Sequence, residues 1–236
     1  MKKKLALILA GTAMAAMVLA GCGEKNNASG EDVKTAESVE DKKTFTVGFD
    51  AEYPPYGYMD ENGEYTGFDL ELAEAVCKLE GWELVKKPLN WDSKDMELNS
   101  GSIDCIWNGF TMNGREDDYT FSTPYVDNSQ VIVVAEKSGI DTLEDLAGKT
   151  VGVQAASAAL DLLKSEEEGG QKKLADTFGA LNEFADYNTA FTELQAGALD
   201  ALAIDVGVAN YQIKSRGEGY KILDETLNTE QYAIGF

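Results

Sequence analysis

The sequence predicts an α/β protein built as two similar lobes that face one another. Three observations predict it. From Thr44 onward strand and helix patterns alternate. A short pattern, ELNSGSIDCI at Glu97–Ile106, returns about 95 residues later as ELQAGALDALAI at Glu193–Ile204. Each copy is a helix end, a glycine where the chain must turn, and a strand that opens on an aspartate. Each strand also delivers polar residues at its C-terminal end, Asn108, Gly109 and Thr111 in the first and Asp205 in the second. In open α/β sheets ligands bind at that end.

The first 22 residues stand apart. MKKK gives a positive start, and Leu5 to Ala20 is an uncharged, mostly apolar run of 16 residues. That is short for a membrane-spanning helix of about 20 residues and suits a signal-peptide core. The run ends in Leu19-Ala20-Gly21-Cys22, which resembles the lipobox of bacterial lipoproteins. The resemblance implies a lipoprotein signal peptide at 1–21, cleavage before Cys22 and lipid on the Cys22 thiol; an uncleaved anchor with an incidental cysteine is the other reading. Residues 22–43 then form a flexible tether, because GEKNNASGEDVKTAESVEDKK has no aromatic residue and almost nothing to bury.

Past the tether, FTVGF alternates Phe45, Val47 and Phe49 on one face of a strand. MDENGEYTGF places Asn62-Gly63 between two extended segments, a hairpin pattern. A calcium loop over Asp60 to Glu71 fails, since the sixth position demands glycine and holds Tyr65. FDLELAEAVCKLEG predicts a helix ending at Gly81, with Leu72, Val76 and Leu79 on one apolar face. Cys77 on this helix and Cys105 on the strand IDCIW pack as small core residues, the alternative being a disulfide. In the second half, Asp141 or Thr142 caps a short helix around LEDLAG, TVGVQ is a strand, and AASAALDLLKSEEE is a helix with Ser157 near its start. A helix start is a good seat for a carboxylate, and Ser157 equally fits an ordinary N-cap.

Composition excludes several functions. The formal net charge is −22, with 42 acidic against 20 basic residues, so nucleic acid, which demands clustered Lys and Arg, is not a partner. Histidine is absent, which removes Ser-His and Cys-His catalysis and most zinc or copper sites. No phosphate-binding glycine loop is present, and no cofactor or metal is called for. Only two arginines occur, and one of them, Arg115, sits in the loop WNGFTMNGRED, a residue suited to a two-pronged grip on a carboxylate.

Taken together, FDAEYPPYGY, the GFDLELAEAV helix, WDS followed by LNSGSIDCI, NGFTMNGRED with FSTPYV, TLEDLAGKTVGVQAAS and LDALAIDVGVANY resemble the polar amino-acid substrate-binding proteins of bacterial ABC importers (extracellular solute-binding protein family 3). The resemblance runs from about Phe45 to Phe236. It implies a periplasmic-binding-protein-like clamp: lobe 1 at 44–133 and 227–236, lobe 2 at 134–226, joined by two crossover strands. It implies that Tyr53 and Trp91 sandwich the ligand side chain, with Asp50 able to face it. Asn108, Gly109 and Thr111 would bind the α-groups, Arg115 the α-carboxylate, Ser157 and Ala158 would add donors from the lobe 2 helix start, and Asp205 would take the α-ammonium.

The match has departures. Arg115 follows Thr111 by four residues where the common pattern has five, with Asn113-Gly114 in the turn. Ala156-Ser157-Ala158 carries one hydroxyl fewer than the usual run. The chain stops at YAIGF, where relatives usually continue into helices covering lobe 1.

The expected function is an extracytoplasmic, lipid-anchored, monomeric binding protein that hands a free polar amino acid to a membrane permease. An amino-acid-sensing receptor domain remains open, as does a dehydratase or lyase on the same fold with Asp50 and Glu52 as acid/base groups. Asp50 and Glu52 leave a cationic side chain as one option among glutamine, cystine and other polar amino acids.

Overall fold

The computed structural model describes residues 43–217 and 219–236. The signal peptide, Cys22 and the tether as far as residue 42 therefore lie outside the described residues. No described helix is long and apolar enough to cross a membrane.

A small lobe forms around β1 (Thr44–Phe49), the centre of a three-stranded parallel sheet between β5 (Glu83–Pro88) and β6 (Cys105–Ile106). Alternation along β1 puts Val47 and Phe49 against α1 (Phe68–Glu80), where they pack with Leu70, Ala73, Cys105 and Trp107. A second cluster holds Trp91, Ile103, Ile106 and Phe110. The expected hairpin joins β3 (Gly57–Met59) to β4 (Tyr65–Thr66), beside the short β2 (Glu52–Tyr53). Asp60 shapes its turn by accepting from the Asn62 and Glu64 N–H groups at 2.9 Å each.

Helix α1 ends at Gly81 in the left-handed conformation, as its pattern predicts. Its buried face differs from the expected one. Leu70, Ala73 and Cys77 are buried, whereas Val76 and Leu79 are exposed, Leu79 at 85%. Two apolar stripes share this helix. The sheet takes the stripe whose small residues, Ala73 and Cys77, let helix and strands approach closely. Cys77 and Cys105 are both buried free thiols.

The large lobe is a sheet ordered β11-β7-β10-β8-β9, with β12 also paired to β7. Its strands are β7 (Val126–Ala135), β8 (Thr150–Gln154), β9 (Ala180–Phe184), β10 (Ala201–Asp205), β11 (Tyr220–Ile222) and β12 (Asn228–Tyr232). Both faces are covered, so its central strands read as continuous apolar runs. Val131, Val133, Leu202 and Ile204 point to α5 (Tyr187–Ala196) and α6 (Val206–Arg216). Ile132, Val134, Ala201 and Ala203 point to α3 (Ala158–Lys164). Each large apolar side chain so buried contributes about 1.5–3 kcal/mol. Strand β7 pairs with β12 over 126–130 and with β10 over 130–134, running from one lobe into the other.

The internal echo is reproduced bond for bond. In the small lobe α2 (Lys94–Asn99) leads through Gly101 to β6; in the large lobe α5 leads through Gly197 to β10. Both glycines have positive φ, 70° and 77°. The Glu97 carbonyl accepts from Ser102 and Ile103, and the Glu193 carbonyl from Ala198 and Leu199. Asp104 Oδ2 accepts from Thr46 N–H at 2.7 Å, and Asp200 Oδ2 from Thr150 N–H at 2.8 Å. Each aspartate thus pins its strand to the start of the neighbouring parallel strand.

Two helices are shorter than the pattern predicts. LEDLAG is a single 3-10 turn at Glu144–Leu146, with Asp145 rather than Asp141 or Thr142 accepting from the loop N–H groups. α3 stops at Lys164, before Glu166, Glu167 and Glu168. Three carboxylates at a helix C-terminus oppose its dipole. A further short helix, α4, spans Lys172–Ala175.

Candidate functional site

Eight of the ten residues expected at the site line one cavity between the lobes: Tyr53, Trp91, Gly109, Thr111, Arg115, Ser157, Ala158 and Asp205, joined by Gln154. Topology brings them together. Tyr53 comes from β2, Trp91 opens the 3-10 turn Trp91–Ser93, and Gly109 to Arg115 follow β6. Ser157 and Ala158 start α3, and Asp205 ends β10. The cavity is nearly shut, at about 10 Å³, room for about one water.

At one end lies a buried carboxylate, Asp205, 4% exposed. It occupies the N-cap position of α6 but makes no side-chain cap bond. Its Oδ1 instead accepts from Asn128 Nδ2 at 2.8 Å, Gln130 Nε2 at 2.7 Å and the Tyr232 hydroxyl at 2.7 Å. The strand period explains the cluster. Asn128 and Gln130, two residues apart, share a face of β7; register sets Asp205 opposite Gln130 and Glu230 opposite Asn128. Glu230, equally buried, accepts from Thr111 Oγ1 at 2.7 Å and from both amides.

At the other end lies Arg115. Its Nη2 donates to Asp161 Oδ2 on α3 at 2.8 Å, and its guanidinium lies over the Phe110 ring, 5.0 Å from the centroid. Lys94, buried beside Trp91, donates across the cleft to the Ala156 carbonyl at 3.3 Å, and burial holds its ammonium below the ordinary lysine range. Ala156 adopts the left-handed conformation (φ 54°), which orients the start of α3. Ser157 is that helix's N-cap: Oγ accepts from Leu160 N–H at 3.2 Å and donates to the Gln154 carbonyl at 2.7 Å. Its hydroxyl proton is therefore engaged within the helix start.

The two remaining expected residues sit elsewhere. Asp50 lines a neighbouring cavity with Glu52, Trp91, Glu97 and Asp186. Its carboxylate accepts from Glu52 N–H at 2.8 Å and, across the cleft, from Gln154 Nε2 at 2.7 Å. Burial pushes it up to about 6. Asn108 is buried with neither side-chain polar atom partnered, and its Oδ1 packs against Gly57 rather than lining the cavity. Behind the loop, Asp69 accepts from Gly109 N–H at 2.5 Å, and burial pushes its carboxyl up to about 7. Gly109 itself has φ 57°, and a Cβ there would press on the Tyr53 and Tyr232 rings.

Sequence reading missed Gln154, Lys94, Asn128, Gln130 and Glu230. The polar run DNSQ before VIVV carries an alternation signal, but only strand pairing shows which acid it faces. What the arrangement offers chemically is a carboxylate seat for a cation, a guanidinium for an anion, and aromatic walls between.

Comparison with known proteins bears on this geometry. The family model described as bacterial extracellular solute-binding proteins, family 3, matches residues 45–226. The chain is 33% identical to the arginine-binding extracellular protein ArtP of Bacillus subtilis (strain 168), covering 100% of this chain and 86% of that protein. It is 29% identical to the L-cystine-binding protein TcyJ of Escherichia coli (strain K12), covering 94% and 80%. Among solved structures, it resembles a histidine-bound ABC uptake transporter substrate-binding protein from Streptococcus pneumoniae, with TM-score 0.76, 35% identity, and 81% and 78% of the two chains covered. An ancestral arginine-binding protein bound to glutamine gives TM-score 0.72 and 38% identity, covering 82% and 84%. These neighbours share the two-lobed clamp.

Proposed function

The chain belongs to the bacterial extracellular solute-binding proteins, family 3, and from that premise we propose that it captures a free polar amino acid by closing its two lobes, as the extracytoplasmic component of an ABC importer. The observation that carries this reading is the pairing of Arg115 and Asp205 on the walls of one interlobe cavity. A free amino acid is a zwitterion. Burying it removes both charges from water, at several kcal/mol per ion unless each is paired. Here Arg115 receives the α-carboxylate and Asp205 the α-ammonium. Because the two residues come from different lobes, only closure satisfies both ends, and the amino acid itself favours the closed state.

Named ligands among the relatives, cystine, arginine, histidine and glutamine, differ in side chain and share these two α-groups. Tyr53 and Trp91 provide the side-chain walls. Asp50 reads as a side-chain contact beyond Trp91, and Asn108, Gly109, Thr111, Ser157 and Ala158 as the frame of the α-group seat. The lobes divide in this reading at 44–133 with 227–236, and at 134–226; β7 and β12, which extend the large sheet, are then the two crossover strands. Cys22 anchors the mature monomer by lipid, and a membrane permease receives the amino acid. The relatives are named as binding proteins, which supports a binding role rather than a catalytic one.

A thermal-shift screen against the twenty L-amino acids and L-cystine tests the reading. An amino acid at 100 times its dissociation constant stabilises by about 2.7 kcal/mol. No shift with any of them sinks the proposal.

A further inference from the structure

The carboxylate of Glu230 is one that the zwitterion argument does not require. It stands on β12, 6% exposed, and its Oε1 accepts from Thr111 Oγ1 at 2.7 Å, Asn128 Nδ2 at 2.8 Å and Gln130 Nε2 at 2.7 Å. The same two amide nitrogens donate to Asp205 Oδ1. Each amide therefore spends both its hydrogens bridging two acids. The geometry of one NH₂ group sets those oxygens roughly 5 Å apart.

The arrangement costs the fold something. The Asn128 and Gln130 carbonyl oxygens are buried without a partner, so both amides face the carboxylates at the expense of their own acceptors. Two buried like charges also repel, and neither is bonded to a cation among the described residues. A group of this kind, unfavourable in itself yet held by six donor contacts, is explained by something that binds it.

We propose that Glu230 is a positioning residue of the ammonium seat: through Asn128, Gln130 and Thr111 it fixes Asp205 relative to the lobe 1 loop, and it supplies the second negative charge that makes the seat demand a cation. This rests on the amino-acid reading above and deepens it. The titratable groups around Glu230 are Asp205 and Tyr187 from the large lobe, Tyr232 on its own strand, and Arg115, Asp161, Glu167 and Glu168 along the groove on its outer side. Arg115, the one cation among them, is engaged by Asp161.

Burial, and then the charge of Asp205, push Glu230 up to about 6. An arriving ammonium favours the ionised pair. Affinity is therefore full above that value and falls as Glu230 takes up its proton below it.

The experiment measures thermal shifts with an equimolar mixture of the twenty L-amino acids and L-cystine, at pH 7.5 and 5.5, for wild type, Glu230→Gln and Glu230→Asp. Without amino acids, Glu230→Gln is expected to melt about 2–4 °C higher than wild type at pH 7.5, because repulsion is relieved. Its apparent affinity for the mixture falls roughly tenfold, and the dependence on pH between 5.5 and 7.5 flattens. Glu230→Asp keeps the charge and retains that dependence. A purely structural residue would instead lose stability and binding together, and that result overturns the proposal. So does a mixture response identical to wild type at both pH values. Should Glu230→Gln not fold, Glu230→Asp decides: its shorter arm draws the carboxylate away from Thr111, so an affinity for the mixture equal to wild type at pH 7.5 overturns the proposal, and a lowered one supports it. A wild type that never responds overturns the amino-acid reading itself.

Discussion

Arg115 meets the cavity with one edge of its guanidinium already on Asp161 and its plane over Phe110. The shortened loop, four residues from Thr111, still brings it to the cavity wall, aided by Gly114 at φ 78°. Asp161 is 63% exposed, so the ion pair contributes at most about 1 kcal/mol to stability. Arg115→Ala should therefore leave unfolding nearly unchanged while lowering affinity for the amino acid found in the screen by about a hundredfold, the scale of two charge-assisted hydrogen bonds. Calorimetry with that amino acid and its decarboxylated amine checks the assignment. If the variant weakens both equally, the guanidinium does not hold the carboxylate. Arg115 and Asp205 were legible as sequence because their chemical types are scarce or placed at a strand end. Glu230 was not. In a chain with 42 acids, one more acid carries no message until its burial is seen.

At the scale of elements, the echo between Glu97–Ile106 and Glu193–Ile204 was the most informative pattern in the chain. It recurs as the same glycine turn and the same aspartate clamp. Asp104→Ala and Asp200→Ala should each cost about 1 kcal/mol, since each removes one carboxylate bond to a strand N–H in partly exposed surroundings. Denaturant midpoints measure it. A loss in only one variant would mean the two clamps are not equivalent. Elsewhere local pattern fell short. The α1 helix carries two apolar stripes, and periodicity does not say which one a sheet will choose. The carboxylate run after Lys164 ended α3 early through the helix dipole, an effect that apolar spacing ignores. Likewise nothing in DNSQ or NTEQ names its partner, although register pairs the two runs residue by residue.

Across the whole molecule, polar contacts that join the lobes over the cleft include Gln154 to Asp50, Lys94 to the Ala156 carbonyl, Arg115 to Asp161 and Asn188 to Glu52. With about 10 Å³ inside, an amino acid enters only when the lobes part. Lys94 does not line the cavity, so it reports on closure alone. Lys94→Met should speed dissociation several-fold and leave association nearly unchanged, because the contact forms after encounter. Stopped-flow fluorescence with the screened amino acid distinguishes the two; slowed association with unchanged release would assign Lys94 to the encounter instead. The family resemblance pointed to Arg115 and Asp205 as candidate partners for an amino acid's two charges; by itself the sequence determined the α/β class, the echo between two α/β units and the strand ends that carry Thr111 and Asp205. These follow from local periodicity, turn chemistry and residue type, which each stretch of chain carries within itself. Only the tertiary structure decided which face of α1 is buried, that Asp161 already meets Arg115, and that Asp205 shares its amides with Glu230. All three depend on contacts between segments far apart in the chain, the last on the register of β7 with β10 and β12, and no local pattern encodes so distant a partner.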